Sequence, residues 1–177
     1  MSTSIREKQS YGFYVVLPLI MLITLLQSTA FASVRILGAV PDLTLIVVVG
    51  WAALQGPREG ISVALIAGLF TDILSGAPLG ISTIALALVG LVVGIGENNI
   101  FQTARFLPYA AIFVATMAHG IIFVFLLHAT GHPMAWGTAL GRVTAPSAVL
   151  NSILMLGIFP VLRWLASHTR IETAEWK

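Results

Sequence analysis

Four side chains in this 177-residue chain are polar where their neighbours are apolar, and they are the first candidates for chemistry. Asp42 follows Pro41 at the start of an apolar run, Asp72 closes another, and His119 and Asn151 lie inside two more. Burying such groups among hydrocarbon is costly, so each needs a partner or a task. Asp42 has a plain explanation: proline suits the first helical position, and a carboxylate suits the positive end of the helix dipole. Asp72 sits at the opposite end of its run, where the dipole disfavours a carboxylate, so its partner must come from elsewhere. Arg35, Arg142, Ser75, His119 and Asn151 are the candidates. Two readings of Asp72 stay open, a hydrogen-bonded carboxylate that fixes packing and a contact for a ligand or partner. His119 shares a helical face with Ala111 and Ala115, which marks it as inward-facing; a packed, hydrogen-bonded imidazole is its plain reading and a ligand its sharper one. Asn151, beside Ala148 and Ser152, reads as a hydrogen-bonding link between helices.

The elements that must hold these residues follow from composition. The chain is 58% hydrophobic and 9% charged, against ~25% charged for soluble domains. So few charges exclude a soluble globular domain, a disordered tail and a nucleic-acid-binding surface. Lys and Arg number 9, too few to track phosphates. With no cysteine there is no disulfide, thiolate nucleophile or thiolate metal site. An integral membrane protein remains, a single domain whose six apolar runs predict six spanning helices. They cover about 14–31, 40–54, 60–74, 80–96, 106–128 and 144–166. Turn signals separate them, among them Gly56-Pro57-Arg58, Glu97-Asn98-Asn99 and Gly131-His132-Pro133.

Arg6, Lys8, Arg58, Arg105, Arg163, Arg170 and Lys177 then fall on one side and only Arg35 and Arg142 on the other. The excess of basic residues predicts that both termini are cytoplasmic. A rival reading takes Arg6, Lys8, the first apolar run and Ala30-Phe31-Ala32 as a cleavable signal peptide, which leaves five spans. On the six-span topology Asp42, Asp72 and Asn151 lie in the outer half of the bundle and His119 near its middle. A polar cluster of these four is expected there, as a cavity, a binding site or an internal network.

Two stripes of small residues predict close helix contact: Gly60, Ala64 and Gly68, ending at Asp72, and the GxxxG pair Gly90 and Gly94. Each serves either packing within the chain or docking of a partner helix. No HExxH, GxSxG, P-loop or dinucleotide fingerprint occurs, so the expectation is a protein without enzymatic activity, cofactor or metal.

Pro41-Asp42-Leu43, Gly56 and above all Asp72-Ile73-Leu74-Ser75-Gly76-Ala77-Pro78-Leu79-Gly80 resemble the bacterial rod shape-determining protein MreD family. Gly90, Gly94 and the Asn151…Pro160 spacing also fit, and the likeness spans roughly residues 10–166. The resemblance implies a small polytopic inner-membrane protein of about six spans, similar in fold to the substrate-binding S component of ECF-type transporters. It implies a place in the elongation machinery that builds the lateral peptidoglycan wall. The partners it implies are MreC, the actin-like MreB, RodA and a class B penicillin-binding transpeptidase. It carries over no catalytic residue. It marks Pro41, Asp42, Asp72, Gly76, Pro78 and Gly80 as sensitive positions, with Asn151 a looser match. The resulting expectation is a membrane scaffold subunit. The alternative is an S-component-like subunit that captures a small solute in the outer polar cluster, and a further reading has Asp42 and Asp72 sense a lipid-linked precursor.

Overall fold

The computed structural model describes residues 10–29, 39–76, 78–96, 107–132 and 135–169. Arg6, Lys8, Arg35, Arg105, Arg170, Lys177 and the Glu97-Asn98-Asn99 joint lie outside the described residues. The class is all-helical, as expected, and no strand occurs among the described residues. Among the described residues six main helices follow in order: α1 Ser10–Thr29, α2 Leu43–Gln55, α3 Pro57–Ser75, α4 Ile81–Ile95, α5 Leu107–Ala129 and α6 Ala145–Thr169. A short turn, Trp136–Thr138, and a π-helical segment, Ala139–Thr144, run into α6, so helix begins before the expected position 144. Among the described residues two helical stretches, Leu107–Ala129 and Trp136–His168, are long and apolar enough by themselves to cross a membrane.

α2 is the axis of the bundle. It is apolar on every side, and all residues from Thr44 to Ala53 are buried. A helix with no polar face has no side to turn to water and packs at the centre. It touches each of the other helices. Its 13 residues rise only about 20 Å, short of the ~30 Å hydrocarbon core. That shortfall is tolerable because α2 is sheathed in protein. Its own Trp51, Leu45 and Ile46, and Met155 of α6, are among the largest fully buried side chains.

The link from α2 to α3 is a single residue, Gly56. The turn signal Gly56-Pro57-Arg58 predicts a longer connection, with α3 opening at Gly60. The structure corrects this, because a proline in the first helical turn starts a helix rather than interrupting one. Trp51 and Glu59 clasp the joint, the indole N–H donating to Glu59 Oε2 at 3.0 Å.

α3 and α4 form the most closely packed pair, and the small-residue stripes are the reason. A Cβ on Gly60 would stand 3.0 Å from the Gly90 carbonyl oxygen, and one on Gly90 would stand 2.9 Å from that of Gly60 and 3.1 Å from Ala64 Cβ. A Cβ on Gly68 would meet Thr83 Cα at 2.4 Å, and one on Gly94 would meet Pro57 Cα at 2.5 Å. Backbone therefore lies directly on backbone along this antiparallel pair. Both stripes, open in the sequence to a partner helix, are occupied by each other.

Candidate functional site

Asp42 anchors a hydrogen-bond network at the end of the bundle where α1 stops and α2 starts. It is the N-cap of α2, its Oδ1 accepting from the Leu45 N–H at 2.9 Å. Pro41 precedes the cap instead of occupying the first helical position, and the helix starts at Leu43 rather than at the expected residue 40. The same Oδ1 accepts from Gln27 Nε2 at 3.1 Å, while Gln27 Oε1 accepts from the Thr44 N–H at 2.9 Å. One amide thus joins α1 to the first turn of α2. Asn151 joins α6: its Oδ1 accepts from the Asp42 N–H at 2.9 Å and its Nδ2 donates to Thr116 Oγ1 of α5 at 3.3 Å. Ser147, one turn before Asn151, accepts from the Val40 N–H at 3.0 Å. Asn151 is fully buried, and Thr44, Thr116 and Ser147 are buried with it.

Gln27, Thr44, Thr116 and Ser147 complete this network and were not singled out from the sequence. Thr116 and Ser147 carried a usable signal, since they lie three and four residues from His119 and Asn151 on shared helical faces. Gln27 carried none, because its place depends on how α1 docks.

Asp72 belongs to a different constellation. It is 1% exposed, and its carboxylate accepts four hydrogen bonds from the start of α4. Oδ1 takes the Ser82 N–H at 2.9 Å. Oδ2 takes the Gly80 N–H at 2.8 Å, the Thr83 N–H at 3.2 Å and the Thr83 hydroxyl at 2.7 Å. The N-cap position of α4 is Gly80, which has no side chain to cap with. Asp72 supplies the missing cap from the preceding helix, and the α4 dipole offsets the unfavourable end of its own. These bonds do not go to Arg142, His119 or Asn151, three of the expected partners; Arg35 lies outside the described residues. Two glycines make the approach possible. Gly76 ends α3 at φ 68° and Gly80 precedes α4 at φ 100°, left-handed conformations that favour glycine. Pro78 stands between them with its carbonyl accepting from the Ile81 N–H at 3.4 Å.

His119 lies on α5 one turn beyond Thr116. Its ring lies 6.1 Å from that of Phe123. The expected hydrogen-bonded imidazole is not what the structure shows, since Nε2 is buried without a partner. Of the four residues expected to cluster, Asp42 and Asn151 are directly bonded, and His119 follows one turn after Thr116, the partner of Asn151. Asp72 has its own partners at the α3–α4 turn.

The outward surface is apolar. Leu65, Leu69 and Ile73 on α3, Ile84, Leu88 and Val92 on α4, and Ile153, Leu156 and Val161 on α6 are exposed. Between α4 and α5 runs a groove of about 380 Å³ whose walls include Leu88, Val92, Ala111, Val114, Ala115 and Ala118. Polar side chains bonded to one another inside and aliphatic ones outside define a helical membrane protein, in which lipid faces the surface that water would face in a soluble fold.

Comparison with known families makes the assignment specific. The chain belongs to the MreD family: the family model described as rod shape-determining protein MreD matches residues 8–168, nearly the whole chain. It is accordingly a bacterial membrane protein of the rod shape-determining machinery. No curated relative and no solved structure matches it.

Proposed function

We propose that this chain is a non-enzymatic scaffold subunit of the cell-elongation complex. It crosses the inner membrane six times with both termini in the cytoplasm, and it supports lateral peptidoglycan synthesis through MreC, MreB, RodA and a class B penicillin-binding transpeptidase. The observation that carries this reading is the division of labour between inside and outside. Asp42, Asp72 and Asn151 are committed to joining helices, while long apolar faces and the α4–α5 groove are left on the exterior. In a membrane the latter surfaces offer helix-to-helix contact by packing alone.

The reading is tested by affinity capture of the tagged chain from native membranes in mild detergent, with the captured proteins identified by mass spectrometry. Recovery of MreC with RodA and the transpeptidase is the expected outcome. A photo-crosslinking residue at Val92 or Val114, each exposed at the groove, is expected to give an adduct with the MreC membrane anchor. Recovery of an ATPase pair with a transmembrane coupling protein would replace this reading with solute capture by an S-component-like subunit.

A further inference from the structure

The hairpin of α3 and α4 carries a band of apolar surface shorter than the hydrocarbon core of an ordinary bilayer. On α3 the band runs from Ile61, just past Arg58 and Glu59, to Leu74, just before Ser75 and Gly76, a rise of about 20 Å. On α4 it is the helix itself, Ile81–Ile95, about 21 Å. Asp72 caps that helix at one end, and at the other Gly96 is followed in the sequence by Glu97-Asn98-Asn99. The two bands lie level. Gly94 stands against Pro57 and Gly68 against Thr83, so the helices are held side by side along their length and a stagger adds no height. Tilting the pair would lower it further.

The other side of the molecule is taller. α5, Leu107–Ala129, rises about 34 Å, and the chain between Arg142 and Arg163, most of it α6, is free of charge for about 30 Å. These lengths match the ~30 Å of a hydrocarbon core, and the hairpin falls short of it by about a third. α2 is equally short, but protein covers it. Among the described residues the hairpin has no such cover: Leu65, Leu69 and Ile73 on α3 and Ile84 and Ile95 on α4 are 44% to 62% exposed.

These exposed residues are large and aliphatic. Helix contacts in membranes favour small residues, and the glycines of the hairpin face inward, each against the other helix. What remains outside suits acyl chains. The α4–α5 groove, with Ala111, Ala115 and Ala118 in its wall, is the surface that keeps small residues for a partner helix.

We propose that the outer face of the α3–α4 hairpin is a lipid-contact surface that holds the adjoining bilayer about a third thinner than its surroundings and gathers phospholipids with short acyl chains. A hydrophobic stretch shorter than the bilayer is met by thinning of the bilayer, because lipid deforms more readily than packed helices. Lipid of ordinary length meets the α5–α6 side, so the molecule sits at a step in membrane thickness. The inference rests on the hairpin spanning the membrane, as in the six-span reading above.

The chain has no cysteine, so a single one introduced on either side takes a bimane fluorophore specifically. Leu69→Cys reports on the hairpin and Ile121→Cys, on an exposed position of α5, on the taller side. Each labelled full-length chain is reconstituted in mixtures of dimyristoleoyl, dioleoyl and dierucoyl phosphatidylcholine. One species at a time is dibrominated, and quenching by bromine gives the relative occupancy of the three at the label. At Leu69 the short dimyristoleoyl lipid is expected to outcompete dioleoyl by at least about threefold, and at Ile121 it is expected to have no advantage. The same ranking at both positions would overturn the proposal while leaving the hairpin in the membrane. Absence of quenching at Leu69 by every lipid would overturn it too, and aqueous iodide separates the two causes. Quenching by iodide would put the hairpin outside the membrane and remove the spanning reading as well, whereas protection from both quenchers would mean that a second copy of the chain covers the face.

Discussion

At the scale of single residues, the most sensitive side chain is Asp72. Replacing it with alanine leaves three backbone donors and one hydroxyl at the buried start of α4 without an acceptor. The loss of a cap and the unpaired groups together amount to about 3 kcal/mol. Asp72→Asn retains one acceptor oxygen and is expected to cost about half as much. Chemical or thermal unfolding in detergent micelles measures both, and an Asp72→Ala chain as stable as the wild type would contradict the capping role. Asn151 is the second such residue. Asn151→Leu keeps the volume but strips the Asp42 N–H of its acceptor and Thr116 of its donor, with an expected loss of about 1–3 kcal/mol. Thr116→Val removes only the acceptor of Asn151 Nδ2 and leaves the Asp42 N–H bonded, so a smaller loss than in Asn151→Leu is expected. The identities of these residues were visible in the sequence, but their partners were not. Asp72 looked misplaced because its own helix offered it nothing, and the helix that satisfies it begins nine residues later beyond a turn.

At the scale of elements, the α3–α4 pair depends on glycine where backbone meets backbone. Gly68→Ala pushes a methyl group into Thr83 Cα, and Gly94→Ala pushes one into Pro57 Cα. Neither neighbour is the tip of a flexible side chain, so the helices must separate, at about 1–3 kcal/mol for each substitution. Gly157→Ala is the matched control. It lies within α6, nothing stands within 4 Å of the added methyl, and it is expected to stabilise the chain by about 0.5–1 kcal/mol through helix propensity. Melting temperatures of the three variants therefore move in opposite directions; a uniform decrease would argue against specific packing. The small-residue spacing was legible in the sequence as a tendency to pack closely. Whether the stripe met a neighbour in the chain or a partner depended on the tight turn that brings α4 back along α3.

At the scale of the whole molecule, α2 organises the bundle and is expected to be its most protected part. Amides from Leu45 to Ala53 are buried on all sides and hydrogen-bonded within a helix that each other helix covers. Hydrogen exchange there is expected to be the slowest in the chain, slower than in the last turn of α5 around His128, which is more exposed. Exchange of α2 as fast as that turn would mean that the bundle opens along its axis. Apolar content and run lengths were enough to determine a helical membrane protein, the positions of its helices to within a few residues and the polar residues that had to be accounted for. These properties are local: they depend on what each stretch can bury and on where proline and glycine fall. Tertiary structure alone decided that α2 is central, that the stripes of α3 and α4 face each other, and that Asp42 and Asn151 share a network from which Asp72 is separate. Each of those outcomes depends on which helix lies beside which, and hydrogen bonds between residues 109 positions apart, such as that from the Asp42 N–H to Asn151, leave no periodic trace along the chain.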